Sequence, residues 1–161
     1  MKKSYWYIAG AIFITYLIMG TNKAFGKVTA DNIRRGCDQN WGCGSFGASR
    51  SGGTRTHNGL DIKTTVGQQI LSPISGKVTR FPFPYGGDLN YTGIEIINED
   101  YKVKIFYMKP SVVVNSEVTK GQVIGTAQNI SAKYSSTMTN HIHLEVYNAK
   151  TNALLNPEAL I

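Results

Sequence analysis

Two cysteines and three histidines are all that the 161 residues contain. So few thiols exclude a disulfide-rich scaffold. Spaced as Cys37 and Cys43, with no histidine nearby, they make no zinc knuckle either. Lysine and arginine are scattered, with no dense run, which excludes a basic nucleic-acid module. No window sustains a helical hydrophobic period, and no segment repeats. The chain is 42% hydrophobic and 17% charged, and so is globular rather than disordered.

The one long apolar run lies at the start. A basic head, MKKSYWY, precedes IAGAIFITYLIMG, and TNKAFG then offers small residues at Ala24 and Gly26. That is the layout of a secretory signal peptide over residues 1–26, with a cut expected before Lys27. The competing reading is a retained anchor, for which the uncharged run from Ser4 to Asn22 is barely long enough. Residues 27–161 are expected to form a single domain. They carry ten acids against fourteen bases, so much of the overall +7 charge belongs to the leader. The remaining excess favours anionic surfaces such as glycans, weakly. In an oxidising compartment Cys37 and Cys43 are expected to join across DQNWG and shape the N-terminal segment. Asn90-Tyr91-Thr92 and Asn129-Ile130-Ser131 are acceptor triplets for N-glycans.

Residues 27–56 read as loop, being rich in Gly, Ser, Asn and Arg. Short apolar or alternating runs follow, and predict strands at 60–63, 68–72, 76–81, 92–98, 102–108, 122–126 and 141–147. PISGKVTRF and NEDYKV have the texture of hairpins. A helical turn is expected near Asn156–Leu160, with Pro157 at its first position. The class is all-β, an antiparallel sheet or sandwich.

In HIHLEVY the alternation of a strand puts His141, His143, Glu145 and Tyr147 on one face and Ile142, Leu144 and Val146 on the other. Taken alone, the polar set could be an ordinary solvent face. THNGLDI adds His57 and Asp61, four apart, which also share a face if the segment is extended; Gly59 permits close approach. His57, Asp61 and one of the His141/His143 pair could fill three corners of a tetrahedron and leave the fourth to water, the open arrangement of a catalytic zinc site. Glu145 could orient a neighbouring ligand or pair with a base. Trp41 is either an exposed contact aromatic or a packing lid. Tyr85 and Tyr91 flank a loop that could edge the groove.

H-x-x-x-D in HNGLD, followed much later by H-x-H in HIHLEV, resembles the lysostaphin/LytM-type zinc metallopeptidases. VGQQILSPISGKV and VTKGQVIGTA look like that family's glycine-marked hairpins, and the match runs over roughly residues 55–147. The resemblance implies an antiparallel β sandwich of LytM/lysostaphin type with a loop-rich N-terminal segment and zinc in a groove. It also implies His57, Asp61 and His143 as ligands of Zn2+, and His141 at the position of the catalytic histidine. RRGCDQNWGCGSFGASRS, RTHNGLDI and VKIFYMKP are similar to a secreted animal branch of the family, the chemotaxin-2 branch, although here one cysteine pair stands where that branch has more.

Active members carry a further histidine in a Y-x-H segment. Here that segment reads Tyr107-Met108-Lys109, so Lys109 falls at the histidine's place. A lysine is protonated at neutral pH and is no base. The resemblance thus implies a complete metal site with an incomplete catalytic set. The protein would act by extracellular binding, with a cell-surface receptor, glycosaminoglycan or bacterial cell wall as partner. The alternative is an endopeptidase that cuts peptidoglycan cross-bridges and has His141 as its sole acid–base imidazole.

Overall fold

β-branched residues alternating with polar ones build the body of the molecule. The structure, a computed structural model, describes residues 25–161. The leader reading therefore lies outside the described residues except at Phe25 and Gly26. These two, which a cut before Lys27 would remove, pack on the domain. The Phe25 ring meets Tyr101 edge-on at 4.8 Å, and the Gly26 N–H donates to the Pro73 carbonyl.

Two small ribbons come first: β1 (Cys37–Asp38) with β2 (Gly42–Cys43), and β3 (Ser49–Arg50) with β4 (Arg55–Thr56). The body is β5 (Leu60–Lys63), β6 (Gln69–Leu71), β7 (Gly76–Arg80), β8 (Gly93–Ile97), β9 (Tyr101–Phe106), β10 (Met108–Pro110), β11 (Glu117–Val118), β12 (Val123–Ala127), β13 (His141–Asn148) and β14 (Leu154–Leu155). One helical turn, α1 (Ser131–Tyr134), precedes β13. The main sheet runs β11-β7-β8-β9-β13-β14, with β5 alongside β14 on the same edge of β13; a second sheet runs β10-β12-β6. All these pairings are antiparallel. The expected all-β sandwich is the observed fold. Among the described residues no helix is long and apolar enough to cross a membrane.

The two sheets close over Leu60, Ile62, Ile94, Ile96, Ile105 and Leu144 from one side and Ile70, Met108 and Ile124 from the other, all without solvent exposure. In β13, Ile142, Leu144 and Val146 are fully buried while the histidine face looks outward. Leu144 pairs with Leu60 of β5 and Ile105 of β9, at the centre of the sheet. Leu144→Ala is expected to cost about 2–5 kcal/mol. Calorimetry would show this as a Tm lower by about 2–4 °C per kcal/mol.

Three local expectations change. The strand at 102–108 is broken at Tyr107, whose φ of 64° is left-handed; the N–H groups of Tyr107 and Met108 both donate to the Thr92 carbonyl. β6 and β7 do not form a hairpin: Pro73–Ser75 carries the chain from one sheet to the other, and β7 pairs with β8 instead. Residues 27–56 are more than loop. Lys63 N–H donates to Ile33 O and Arg35 N–H to Asp61 O, so this segment lies along the edge of β5 that β13 leaves open. NEDYKV does turn β8 into β9, with Asn98 Oδ1 accepting from the N–H groups of Asp100 and Tyr101. Pro157 opens a 3-10 turn capped by Asn156, as expected.

Candidate metal centre

β5 and β13 run side by side with His143 directly opposite Asp61 and His141 opposite Lys63. That register decides which histidine of the pair joins Asp61. His57 arrives differently from the expectation: the chain is not extended from 57 to 61 but bends at Gly59. A Cβ there would stand 2.4 Å from the Leu144 carbonyl oxygen and 2.7 Å from the His143 ring, so only glycine fits. Gly59→Ala is expected to push His143 aside and weaken metal binding by about tenfold or more. Titration with zinc in a competing chelator measures it.

The three expected ligands come together. His57 Nε2 lies 2.9 Å from His143 Nδ1 and 3.1 Å from Asp61 Oδ1, and His143 Nδ1 lies 2.9 Å from the same oxygen. Their hydrogen bonds assign the tautomers. His57 Nδ1 faces the Ser45 carbonyl at 2.8 Å, which can only accept, so its proton is there and Nε2 is a lone pair. His143 lies between two carboxylates, Asp61 Oδ1 at 2.9 Å from Nδ1 and Glu145 Oε1 at 3.4 Å from Nε2, so it can keep a proton on Nε2 and offer Nδ1 to an ion. Two imidazole nitrogens and a carboxylate oxygen thus point at one space that a cation would fill. Ligand atoms bound tetrahedrally at 2.0–2.1 Å are roughly 3.3–3.4 Å apart, so the trio has nearly the spacing a zinc-sized ion needs. His57, Asp61 and His143 are the cluster able to hold a metal among the described residues.

Without a metal the missing charge is a proton. Burial disfavours charge on His143, but its bonds to Asp61 and Glu145 prevail and raise its pKa to about 9. Burial would raise Asp61, yet His143 and His57 hold its carboxyl well below the usual carboxylate range. His141 is pushed down, mainly by burial. Its Nδ1–H donates to the Thr139 carbonyl at 2.7 Å, leaving Nε2 as a lone pair 3.7 Å from Asp61 Oδ2.

The centre lies in an open cleft of about 480 Å³. Tyr85, Tyr107, Tyr134 and Trp41 form one wall; Trp41 stands 5.4 Å from Tyr134, and Tyr107 meets His141 edge-on at 5.6 Å. Arg35, Arg50 and Arg55 line the cleft as well. Glu145 sits beneath His143 and accepts from the Tyr147 hydroxyl. Tyr91 packs behind Tyr85 rather than on the cleft. Both acceptor asparagines, Asn90 and Asn129, are exposed. Lys109 is exposed on β10 opposite Thr126 and lies outside the cleft; from Y-x-H, Tyr107 is the residue that lines it. The left-handed backbone at Tyr107, invisible in an apolar run, breaks the alternation that would put Tyr107 and Lys109 on one face. Arg35 was also missed: nothing in RRG marks one arginine as buried.

The Cys37–Cys43 disulfide is formed. The chain is 31% identical to mouse leukocyte cell-derived chemotaxin-2 over 117 residues, 72% of this chain and 74% of that protein. It is 32% identical to chicken myeloid protein 1 over 71% of its own length but only 35% of the chicken protein. Among solved structures, the catalytic domain of lysostaphin from Staphylococcus simulans shares the fold, with a TM-score of 0.54 and 24% identity, covering 71% of this chain and 86% of that one. A zinc containing peptidase from Vibrio cholerae aligns with a TM-score of 0.57 and 27% identity over 83% of this chain and 39% of that one. Peptidase family M23 matches residues 55–157, the span that carries all three histidines and Asp61, and the chain belongs to that family.

Proposed function

We propose that this is a secreted zinc-binding M23 protein that acts by holding an extracellular ligand at its cleft rather than by hydrolysing it. The carrying observation is the histidine inventory. The sequence has three, two face the metal position, and His141 is left as the only free imidazole at the cleft. Zinc, when bound, would supply a Lewis acid and an acidified water. A second positioned acid–base group is worth about 10²–10⁴-fold. Tyr107 lines the cleft beside His141, with ring centres 5.6 Å apart. Burial above all raises its pKa, so it is a neutral phenol and no base.

Secretion is supported by the leader-like N-terminus, the disulfide and the resemblance to chemotaxin-2. The proposed partner is a cell-surface receptor, a glycosaminoglycan or bacterial cell wall, to which the cleft offers tyrosines, Trp41 and three arginines. Zinc-loaded protein incubated with pentaglycine and with whole cell walls tests the reading. Retention on a partner with no turnover above the metal-free protein is expected. Turnover that His141→Ala abolishes would make it an enzyme and overturn the proposal.

A further inference from the structure

We infer that Arg35 is a positioning residue through which the Cys37–Cys43 loop sets the metal affinity of the centre. This rests on the zinc reading above. It concerns residues that precede the span matched by the family.

The Arg35 side chain is only 3% exposed and its bonds divide sharply. Nη1 donates to Asp61 Oδ2 at 2.8 Å. Its other bonds go to the disulfide loop: Nε to Asp38 Oδ2 at 3.1 Å, and Nη2 to the carbonyls of Trp41 at 3.2 Å and Gly42 at 2.7 Å. One end of a rigid planar fork is fixed by the loop, and the other holds the oxygen of Asp61 that does not face the metal position. Asp61 is thereby held to offer a single oxygen, Oδ1, to an ion.

The backbone repeats this link. Asp61 N–H donates to Gly44 O and Asp61 O accepts from Arg35 N–H, so residues from both ends of the loop bracket the ligand. A Cβ on Gly44 would come within 2.7 Å of the Arg35 carbonyl oxygen and 2.9 Å of Asp61 Cβ, so the loop's exit is pressed against the ligand itself. The loop also reaches the remaining imidazole. Asp38 accepts from Thr139 N–H at 2.9 Å and from its hydroxyl at 2.7 Å, and the Thr139 carbonyl orients His141. The closed disulfide fixes the carbonyls and carboxylate that fix Arg35, and Arg35 fixes Asp61. Groups that hold metal ligands in place are worth about 10–100-fold in affinity. Reductive opening would break the Cys37–Cys43 bond with two electrons and two protons from a dithiol, which closes to its own disulfide; the loop then loses its constraint and Arg35 its anchors.

If Arg35 were simply a counter-charge for a buried carboxylate, any cation would serve and the disulfide would be irrelevant. Zinc affinity by chelator competition separates the two. The measurement compares the wild-type chain, Arg35→Lys, Arg35→Met and Cys37→Ser/Cys43→Ser, with metal-free melting curves alongside to confirm folding. Serines are used because free thiols would themselves bind zinc. Coupling predicts about a tenfold or greater loss in the serine pair and in Arg35→Lys, which keeps the charge and loses the fork, and 10–100-fold in Arg35→Met. Adding the serines to Arg35→Lys should cost little more than Arg35→Lys alone, because both act along one path. Should Arg35→Met not fold, Arg35→Lys and the serine pair decide the matter. A zinc-binding wild type whose serine pair binds zinc equally well overturns this inference alone. A wild type that takes up no zinc overturns the metal reading and this inference with it.

Discussion

Replacing Asp61 with alanine is expected to abolish stoichiometric zinc and to destabilise even the metal-free fold by about 3–5 kcal/mol. Both effects have one cause. Asp61 Oδ1 is one of three groups converging on the metal position, and Oδ2 is the acid partner of Arg35, both side chains being 3% exposed. Without it the Arg35 guanidinium keeps Asp38 but is left with a buried donor unpaired. His143→Ala separates the two effects. It removes a ligand but leaves Arg35 and Asp61 paired, so zinc is lost while the penalty of an orphaned arginine is absent. Elemental analysis for zinc and denaturant unfolding with EDTA present give the two readings independently. Compared above about pH 9, where His143 has lost its proton and with it its ion pairs, equal stability of Asp61→Ala and His143→Ala without metal would show that Arg35 does not depend on Asp61.

The second large effect is on pH. His143 in the metal-free protein holds its proton up to about pH 9, and zinc must displace it. Zinc affinity should therefore rise about tenfold per pH unit from about pH 7 to 9 and level off above. Roughly one proton is released per zinc in the rising range, measurable by calorimetry in buffers of different ionisation heat. Stability of the metal-free protein moves the other way. The pKa of His143 is raised above its ordinary 6.5, so its contribution is complete below about pH 6.5 and is lost as pH climbs through about 9, on the order of 3 kcal/mol in all. The zinc-loaded protein, in which His143 carries no proton on Nδ1, should lack that loss. An affinity flat between pH 7 and 9 would mean that zinc displaces no proton held by His143 in that range.

What the sequence reveals here follows the range of the interaction. β13 is legible because period-two alternation is local: Ile142, Leu144 and Val146 must bury together, which leaves His141 and His143 facing outward. The choice between those two is not local. It depends on the register of β5 against β13, which spacing left open and only the family resemblance supplied. His57 meets Asp61 through a bend at Gly59 and not along an extended segment, a geometry that spacing does not reveal. Tyr107 lines the cleft and Lys109 lies outside it because Tyr107 takes a left-handed backbone, which a β-rich run conceals. The pairing of residues 33–35 with β5 and the burial of Arg35 depend on contacts between residues 26 to 30 positions apart, and composition carries no trace of them.

The proposed function rests on His57, Asp61 and His143 gripping one zinc ion. Diffraction from zinc-grown crystals, collected on both sides of the zinc absorption edge, locates the metal directly. A single strong anomalous peak is expected in the cleft, about 2.0–2.2 Å from His57 Nε2, Asp61 Oδ1 and His143 Nδ1. A peak held by other side chains, or none at these three, would contradict it.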